Sequence, residues 1–287
     1  MKDVAWGRVA EGLQLAGFGV FLLLTTQGVL PWFFWAEAAS FWPLLLVGAG
    51  FRLVFERSRA PWGVLLSPLV VLGTLTWVAR ETGHDPAGEW VNRSVARPEG
   101  TERWTLAMRL AGARVDLQSA EMAEGLLAEG RSKSREGRGR LEMQRPGPLT
   151  QVRLDSGRGG SVHFVPPRRQ LWELNLTRAL PVGLDLQGAL LGARVDLASG
   201  RVTEAEVDGA FNYFELRLPR PLADVSLHLK GAFNSLRLVV PAATPVRVRA
   251  EGPFNHVERD KAPTPPAGPG YDLRVEGVMN QVVVEEG

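Results

Sequence analysis

The chain offers few residues whose type and spacing could support catalysis. It has 287 residues, no cysteine and four histidines, so thiol nucleophiles, disulfides and cysteine metal clusters are excluded. The histidines form no H-x-H or H-x-x-x-H pair, and their spacing therefore gives no support to a metal site. The sequence contains neither a G-x-S-x-G turn nor a G-x-x-x-x-G-K-[ST] phosphate loop. We therefore expect no catalytic, cofactor-binding or metal-binding residues and a protein that is not an enzyme.

Acidic residues are common but alternate with apolar ones, as in the run Glu204, Glu206 and Asp208. Alternation of this kind places carboxylates on the solvated faces of strands. One alternative remains open, because two carboxylates that converge in a cleft could cleave envelope carbohydrate.

A cluster of positive charge stands out between residues 131 and 140, where five of ten residues are basic: Arg131, Lys133, Arg135, Arg138 and Arg140. The simplest interpretation is a flexible, solvated loop. The sharper one is a contact with anionic lipid head groups, an anionic wall polymer or an acidic partner. Nucleic acid is not expected as a partner, because no aromatic residue is interleaved for base stacking. Residues 81–287 also carry 27 basic and 27 acidic residues, which leaves them neutral overall.

The first 80 residues have the composition of a membrane region. They contain six of the nine Trp residues and seven of the twelve Phe residues. A helix that crosses a bilayer needs about 20 apolar residues. We predict about three spans, at residues 12–30, 38–55 and 60–79, with Trp residues near their ends as in an interfacial belt. A buried core helix or a cleaved signal peptide fits less well, because several apolar segments follow one another.

The short connections predict an orientation for these spans. Lys2 and Arg8 precede the first span, Arg57 and Arg59 lie between the second and third, and residues 29–39 contain no Lys or Arg. The positive-inside rule then places the N-terminus in the cytoplasm and, after three crossings, residues 81–287 outside. We expect a multi-pass protein of the plasma (inner) membrane. The stretch 31–35 could instead lie in the interface or re-enter the bilayer, and one miscounted span would invert the orientation.

Beyond residue 80 the sequence changes to the alternation of half-buried strands. Residues 81–100 show no apolar period and are predicted to be a linker. Residues 101–180 are predicted to form irregular β coils, with a loop or short helix near residues 121–129.

Residues 181–287 contain an internal repeat of 21 or 22 residues, with one longer spacing of 25 across a proline-rich insertion. Each copy has two alternating apolar runs around a glycine. The pattern at this point is G-x-h-N, where h is apolar, except in the first copy, which has Leu191 in place of the Asn. This period predicts one coil of a single-stranded β-solenoid per repeat. The repeated positions are Gly188, Gly209, Gly231, Gly252, Gly277, Asn212, Asn234, Asn255 and Asn280.

The repeat also predicts local roles. The glycine is expected to allow a tight turn between the two strands, and the apolar residue two places later to point back into the core. The Asn tolerates a left-handed backbone, and stacked Asn side chains are expected to form a structural ladder.

Both halves resemble one known family. The stretch Gly12–Val20 and the element F-W-P-L-L-L-V-G-A-G at residues 41–50 resemble the transmembrane region of LiaI/LiaF-like proteins. The G-x-h-N-x-h-x-h repeats resemble the toastrack domain, a β-solenoid of LiaF-like and adhesin-like proteins. The resemblance implies a bacterial membrane protein of the envelope-stress type that acts through protein contacts. LiaF-like proteins often have four spans, whereas three are predicted here.

Two functions follow as expectations. The first is a non-enzymatic, membrane-anchored adaptor or sensor of the cell envelope, with a protein partner, contacts to membrane lipid and homo-oligomers through the solenoid ends. The second is an adhesin-like module that binds anionic envelope polymer or lipid head groups through the basic cluster. No cofactor is expected in either case.

Overall fold

A computed structural model describes residues 6–26, 29–30, 34, 38, 41–56, 61–82, 88–134, 139–155, 170–259 and 268–287. The chain forms two compact units. One contains the helices, and the other contains the strands, so we describe them separately. The stretch 31–35 lies largely outside the described residues, as does most of the proline-rich insertion.

The helical unit contains three described α-helices, α1 (Trp6–Thr26), α2 (Trp42–Glu56) and α3 (Leu66–Thr82). A 3-10 turn at Pro61–Leu65 leads into α3. Two segments, Trp6–Thr25 and Gly63–Arg80, are long and apolar enough to cross a membrane. Helix α2 has only 15 residues, which is short for a crossing.

Polar and apolar contacts join these helices. Gln14 on α1 donates a hydrogen bond to Ser67 Oγ on α3 over 2.9 Å. Hydrogen bonds of this kind between helices are typical of apolar surroundings. Val71, Leu75 and Val78 of α3 belong to one buried cluster that also includes Phe34. Phe34 stacks on Phe21 of α1 with 5.5 Å between the ring centroids.

The second unit is all-β. Its strands are β1 (Trp90–Ala96), β2 (Arg103–Ala111), β3 (Ala113–Ala120), β4 (Leu126–Ser134), β5 (Arg140–Arg145), β6 (Leu149–Asp155), β7 (Gln170–Thr177), β8 (Val182–Ala189), β9 (Gly192–Asp196), β10 (Val202–Ala210), β11 (Tyr213–Arg217), β12 (Val225–Ala232), β13 (Ser235–Val240), β14 (Val246–Glu251), β15 (His256–Arg259), β16 (Tyr271–Val278) and β17 (Gln281–Glu286).

Two sheets contain all of these strands. The nine-stranded sheet has the order β1-β4-β7-β3-β9-β11-β13-β17-β15, and the eight-stranded sheet has the order β14-β16-β12-β10-β8-β2-β6-β5. Each repeat supplies one strand to each sheet, and neighbouring repeats pair in parallel. We call these two strands a strand pair and the residues that connect them the corner.

The alternation seen in the sequence decides which side chains are buried. In β12, Val225, Leu227 and Leu229 point inward, while Ser226 is exposed. The inward side chains of both sheets form one continuous apolar cluster, which includes the fully buried Trp104. Burial of this cluster is the main force that holds the two sheets together.

The order of the last two repeats differs from their order in the chain. Strands β16 and β17 of the fifth repeat lie between the third repeat and the fourth. Strand β16 pairs in parallel with both β12 and β14. The fourth repeat, β14 and β15, is therefore the end of the stack. Equivalent repeats pair in the same register with either neighbour. The fourth repeat can therefore leave one position in the stack empty, and the fifth repeat fills it.

The predicted linker at residues 81–100 is wrong in its second half. Trp90–Ala96 forms β1, an edge strand antiparallel to β4. Only Val95 of this strand is fully buried, which explains why the sequence shows no clear apolar period there.

The basic cluster is also not simply a loop. Residues 126–134 form β4, which pairs antiparallel with β7. Residues 121–125 form a loop with a turn at residues 124–125 and contain no helix. Strand β4 carries alternating polar side chains on one side, and this side faces away from the core.

Candidate interaction surfaces

Four asparagines at the corners of the strand pairs form a hydrogen-bonded ladder. Asn212 Nδ2 donates to Asn234 Oδ1 over 3.0 Å, Asn234 Nδ2 donates to Asn280 Oδ1 over 3.1 Å, and Asn280 Nδ2 donates to Asn255 Oδ1 over 3.1 Å. The ladder follows the order of the strand pairs in space, so Asn280 stands between Asn234 and Asn255. Asn212, Asn234 and Asn280 are each 1% exposed.

Each ladder amide also satisfies the backbone of its neighbours. Asn234 Oδ1 accepts the backbone N–H of Asn212, while Asn234 Nδ2 donates to the carbonyl of Gly209. The same two bonds recur around Asn280, from the N–H of Asn234 and to the carbonyl of Gly231. The Asn amide therefore satisfies buried backbone groups that a turning chain would otherwise leave without partners.

The repeated glycines allow the backbones of neighbouring strand pairs to pack closely, and they also allow the chain to turn. Gly209 has φ of 142° and Gly231 has φ of 111°. A Cβ atom added at Gly231 would overlap the carbonyl oxygen of Gly209. Glycine is therefore required because a neighbouring strand pair passes directly against the chain.

Two of the corner roles predicted from the sequence are wrong, those of the left-handed Asn and of the inward apolar residue. The left-handed residue is the apolar residue two places after the glycine, and in four of the five copies the Asn follows it. These residues are Leu190 (φ 61°), Phe211 (58°), Phe233 (57°), Met279 (56°) and Phe254 (59°). These residues do not point into the core either. Phe211 is 49% exposed, Phe233 48%, Met279 46% and Phe254 77%. The left-handed residue reverses the chain and interrupts the two-residue alternation, so the Asn takes the inward position.

The left-handed residues lie side by side along one edge of the β unit. The N–H of Phe211 donates to the carbonyl of Ala232, and the N–H of Phe233 donates to the carbonyl of Val278. The rings of Phe211 and Phe233 stack with 4.8 Å between centroids and 2° between planes. We call this row the corner ridge; it consists of Leu190, Phe211, Phe233, Met279 and Phe254, in stack order.

The residues that precede the corner ridge are also uncharged and small or apolar: Ala189, Ala210, Ala232, Val278 and Pro253. Together, the two rows make an apolar strip without a charged side chain. Neighbouring strands lie about 4.8 Å apart, so five strand pairs give a strip of about 19 Å.

The corner ridge is built at a conformational cost. A residue other than glycine in the left-handed region costs roughly 1–3 kcal/mol, and the conformation persists only where the surrounding structure enforces it. The equivalent corner between β2 and β3 has Gly112, with φ of 62°. Among the described corners, the chain therefore uses an unstrained glycine at one and large apolar residues at five others. Because Phe211, Phe233 and Met279 are about half exposed and Phe254 is 77% exposed, burial in the core does not account for these four side chains.

The basic cluster is partly neutralised by its surroundings. Arg131 on β4 forms an ion pair with Glu173 on β7 over 2.6 Å. The Arg131 guanidinium also lies 4.2 Å from the ring centroid of Trp90, and Lys133 Nζ lies 5.8 Å from it. Arg140 is exposed on β5, in the other sheet. Arg135 and Arg138 lie outside the described residues.

A shallow polar groove of about 750 Å³ lies on the outer face of the nine-stranded sheet. Strands β1, β4, β7 and β3 line it with Asn92, Arg131, Glu173, Asp116 and other polar residues. Farther along this face, Arg237 pairs with Glu285 over 2.7 Å. Acidic and basic groups are balanced here, so the face does not present one sign of charge.

The histidines and acidic residues of the described chain do not converge. His228 and His256 lie on β12 and β15, in different sheets, and His84 and His163 lie outside the described residues. Within the described ranges, no three His, Asp or Glu side chains are grouped closely enough to hold a metal ion. Glu206 accepts a 2.7 Å hydrogen bond from Lys230, and this bond raises the pKa of the Lys230 ammonium.

The geometry thus shows an N-terminal helical unit with two candidate membrane spans and a large all-β unit. Residues 11–88 match the model of the LiaF transmembrane domain, which confirms the resemblance of the N-terminal region. A search of curated proteins finds no matching sequence.

Solved structures support the fold of the β unit. A "putative cell adhesion protein" from Clostridium sporogenes ATCC 15579 aligns with a TM-score of 0.59 and 14% identity, over 70% of this chain and 100% of that one. A "putative adhesin" from Bacteroides fragilis NCTC 9343 aligns at 8% identity over 69% of this chain and 98% of that one. Its TM-score is 0.25, so only the first similarity bears on the fold. The similarity to the Clostridium sporogenes structure agrees with the toastrack-type fold expected for this unit.

Proposed function

We propose that this protein is a non-enzymatic, membrane-anchored adaptor or sensor of the bacterial cell envelope. It acts through protein contacts of its β unit. The observation that carries the proposal is the corner ridge, because exposed apolar side chains in a strained backbone serve contacts outside the fold. The LiaF transmembrane match supports an envelope-associated, membrane-anchored protein.

The proposal includes a β-solenoid in the β unit. Stacked strand pairs with parallel neighbours support this description. The last pair, β14 and β15, leaves one strand edge at the end of each sheet. Such edges can pair with another strand, so homo-oligomers through this end belong to the proposal.

The proposal also includes three crossings, with a cytoplasmic N-terminus and an extracytoplasmic β unit. The two candidate spans support two of these crossings, and helix α2 would supply the third. Because the chain has no cysteine, a single Ser199→Cys variant tests it. Ser199 is exposed at a turn between β9 and β10. Labelling by a membrane-impermeant thiol reagent in intact cells is expected, and protection until lysis would contradict the orientation.

The adaptor role is tested by placing charge on the corner ridge. Phe211→Glu and Phe254→Glu are expected to give the envelope-stress response of a deletion strain at normal membrane levels. Leu222→Glu is the matched control, because Leu222 is 83% exposed and lies at the opposite edge of the strand pair. A wild-type response from both ridge variants would reject the role, as would a turnover reaction abolished by one substitution on a sheet face.

A second function is favoured by the position of Arg131 and Lys133 beside Trp90 on the outer sheet face. We propose, as the alternative, that this surface binds an anionic envelope polymer or lipid head groups. Arg131 would then exchange Glu173 for the anionic ligand.

The alternative is tested by neutralising the basic cluster, Arg131, Lys133, Arg135, Arg138 and Arg140. Binding to purified wall polymer and to anionic vesicles is expected to fall by at least tenfold, while the fold is preserved. Unchanged binding would leave the adaptor role alone.

A further inference from the structure

The corner ridge has a regular repeat along the stack. Its side chains recur once per strand pair, at about 4.8 Å, and Phe211 and Phe233 keep that spacing in their stacked rings. A surface with the same spacing is the equivalent edge of another copy of this chain. Two copies could therefore bring their ridges together at every strand pair.

The polar rows on either side of the ridge show how two copies could meet. On the side of the eight-stranded sheet the row is Gln187, Asp208, Lys230, Glu276 and Glu251. On the side of the nine-stranded sheet it is Gly192, Tyr213, Ser235, Gln281 and His256. The first row therefore carries three carboxylates, and the second row carries none.

A two-fold axis parallel to the stack places the first row of one copy opposite the second row of the other, at the same level. Glu251 then faces His256 of the partner subunit, and Asp208 faces Tyr213 of the partner subunit. These pairs join carboxylates to groups that can donate hydrogen bonds.

A two-fold axis perpendicular to the stack has the opposite consequence. It places Asp208 opposite Glu276 of the partner subunit, and Lys230 opposite Lys230 of the partner subunit. Like charges at these positions oppose association. The charge pattern therefore favours copies that run in the same direction.

We propose that the corner ridge is the interface of a parallel homodimer, with a two-fold axis along the stack. The proposal rests on the proposed function, in that it names the partner of the same surface. The strip is small compared with a standard interface of about 800 Å² per partner. The dimer is therefore weak in solution and forms because both copies are confined to one membrane.

Single cysteines in the otherwise cysteine-free full-length chain test the proposal in native membranes. Phe211→Cys lies away from the centre of the ridge, and Leu222→Cys is the exposed control at the opposite edge. Mild oxidation is expected to give at least ten times more disulfide-linked dimer for Phe211→Cys than for Leu222→Cys. Equal yields would overturn the dimer. Cross-linking only between Phe211→Cys and Met279→Cys copies would overturn the parallel arrangement.

A photo-cross-linker attached to the thiol of the Phe211→Cys variant separates this proposal from the adaptor role. An adduct with the mass of two copies supports the homodimer. An adduct only with a different protein overturns the homodimer and leaves the adaptor role standing. No adduct above that of the Leu222→Cys control would contradict both.

Relief of backbone strain provides a control for folding. Phe233→Gly places a glycine at a left-handed corner, as Gly112 does at the equivalent corner between β2 and β3. The midpoint of thermal unfolding of this variant is expected to equal or exceed that of the wild type. Dimer formation by the Phe211→Cys, Phe233→Gly protein is expected to fall at least fivefold. If the midpoint falls as far as for Phe214→Ala in the core, the ridge serves folding and the proposal is overturned.

Discussion

At the residue scale, the ladder asparagine is the side chain on which the repeat depends most. Asn234 accepts two hydrogen bonds through Oδ1 and donates others through Nδ2, all at a position that is 1% exposed. A buried amide of this kind is stabilising only when every bond is made. Asn255 lies at the end of the ladder and is more exposed, so the same residue type contributes unequally along the stack.

Asn234→Ala is expected to lower the free energy of unfolding by about 3 kcal/mol, because it leaves several buried backbone groups without partners. Asn255→Ala, at the ladder end, is expected to cost about 1 kcal/mol. Urea unfolding of the detergent-solubilised protein measures both. Equal losses would show that position in the ladder has no influence.

A buried tyrosine predicts a change of stability at alkaline pH. Tyr271 is 0% exposed and donates a 2.6 Å hydrogen bond to the carbonyl of Pro219. Burial raises the pKa of this phenol, so the folded state favours the neutral form. The stability that the buried phenol contributes to the folded state is therefore fully present below the unfolded pKa of about 10. It is lost as the pH rises above that value.

Tyr271→Phe removes both the hydrogen bond and the titration. At pH 8 the variant is expected to be less stable by about 1 kcal/mol. Above about pH 10 the wild type loses stability that the variant keeps, so the difference narrows. Urea midpoints at the two pH values test this, and a constant difference would contradict it.

At the scale of the element, the corner combines a glycine, a left-handed apolar residue and an inward Asn within four positions. The glycine lets the next strand pair approach, the left-handed residue turns the chain, and the Asn bonds the turned backbone. Each of the three has a different physical cause, although they are adjacent in the sequence.

Gly209→Ala is expected to destabilise the protein by about 3 kcal/mol or more, because its Cβ would overlap the carbonyl of Gly188 at a positive φ. Gly192→Ala is the matched control: nothing lies within 4 Å of an added Cβ there. Its effect is expected to stay within about 0.5 kcal/mol. Thermal unfolding compares the two, and similar losses would contradict the role of close packing.

At the scale of the whole molecule, the stability of each strand pair depends on its position in the stack and not on its position in the sequence. The C-terminal pair, β16 and β17, has neighbours on both sides, whereas the preceding pair, β14 and β15, ends the stack. Stability in stacked repeats depends on the interfaces between neighbours. The C-terminal strand pair is therefore an internal layer of the β unit.

Removal of residues 260–287 is expected to abolish hydrogen-exchange protection in β14 and β15, because the strands with which they pair are lost. Removal of residues 243–287 is the control, since it ends the stack cleanly after β13 and should preserve protection in residues 182–240. Retained protection of β14 in the shorter truncation would show that this strand can pair with β12 instead.

The sequence by itself determined a great deal of this protein. The apolar segments of the first 80 residues predicted a membrane region, and residues 11–88 match the LiaF transmembrane domain. Two-residue alternation predicted which side chains are buried, as in β12. These inferences succeed because they depend on local periodicity and on the length of a helix that fits a bilayer.

The tertiary structure alone decided the order of the strand pairs and the direction of the corner side chains. Repeats of one register fit any neighbour equally well, so their sequence could not reveal that β16 and β17 lie inside the stack. Alternation also predicted that Phe211 and Phe233 point inward. One left-handed residue shifts the alternation between inward and outward side chains by one position. Only the backbone hydrogen bonds to the adjoining strand pair fix the position of this left-handed residue.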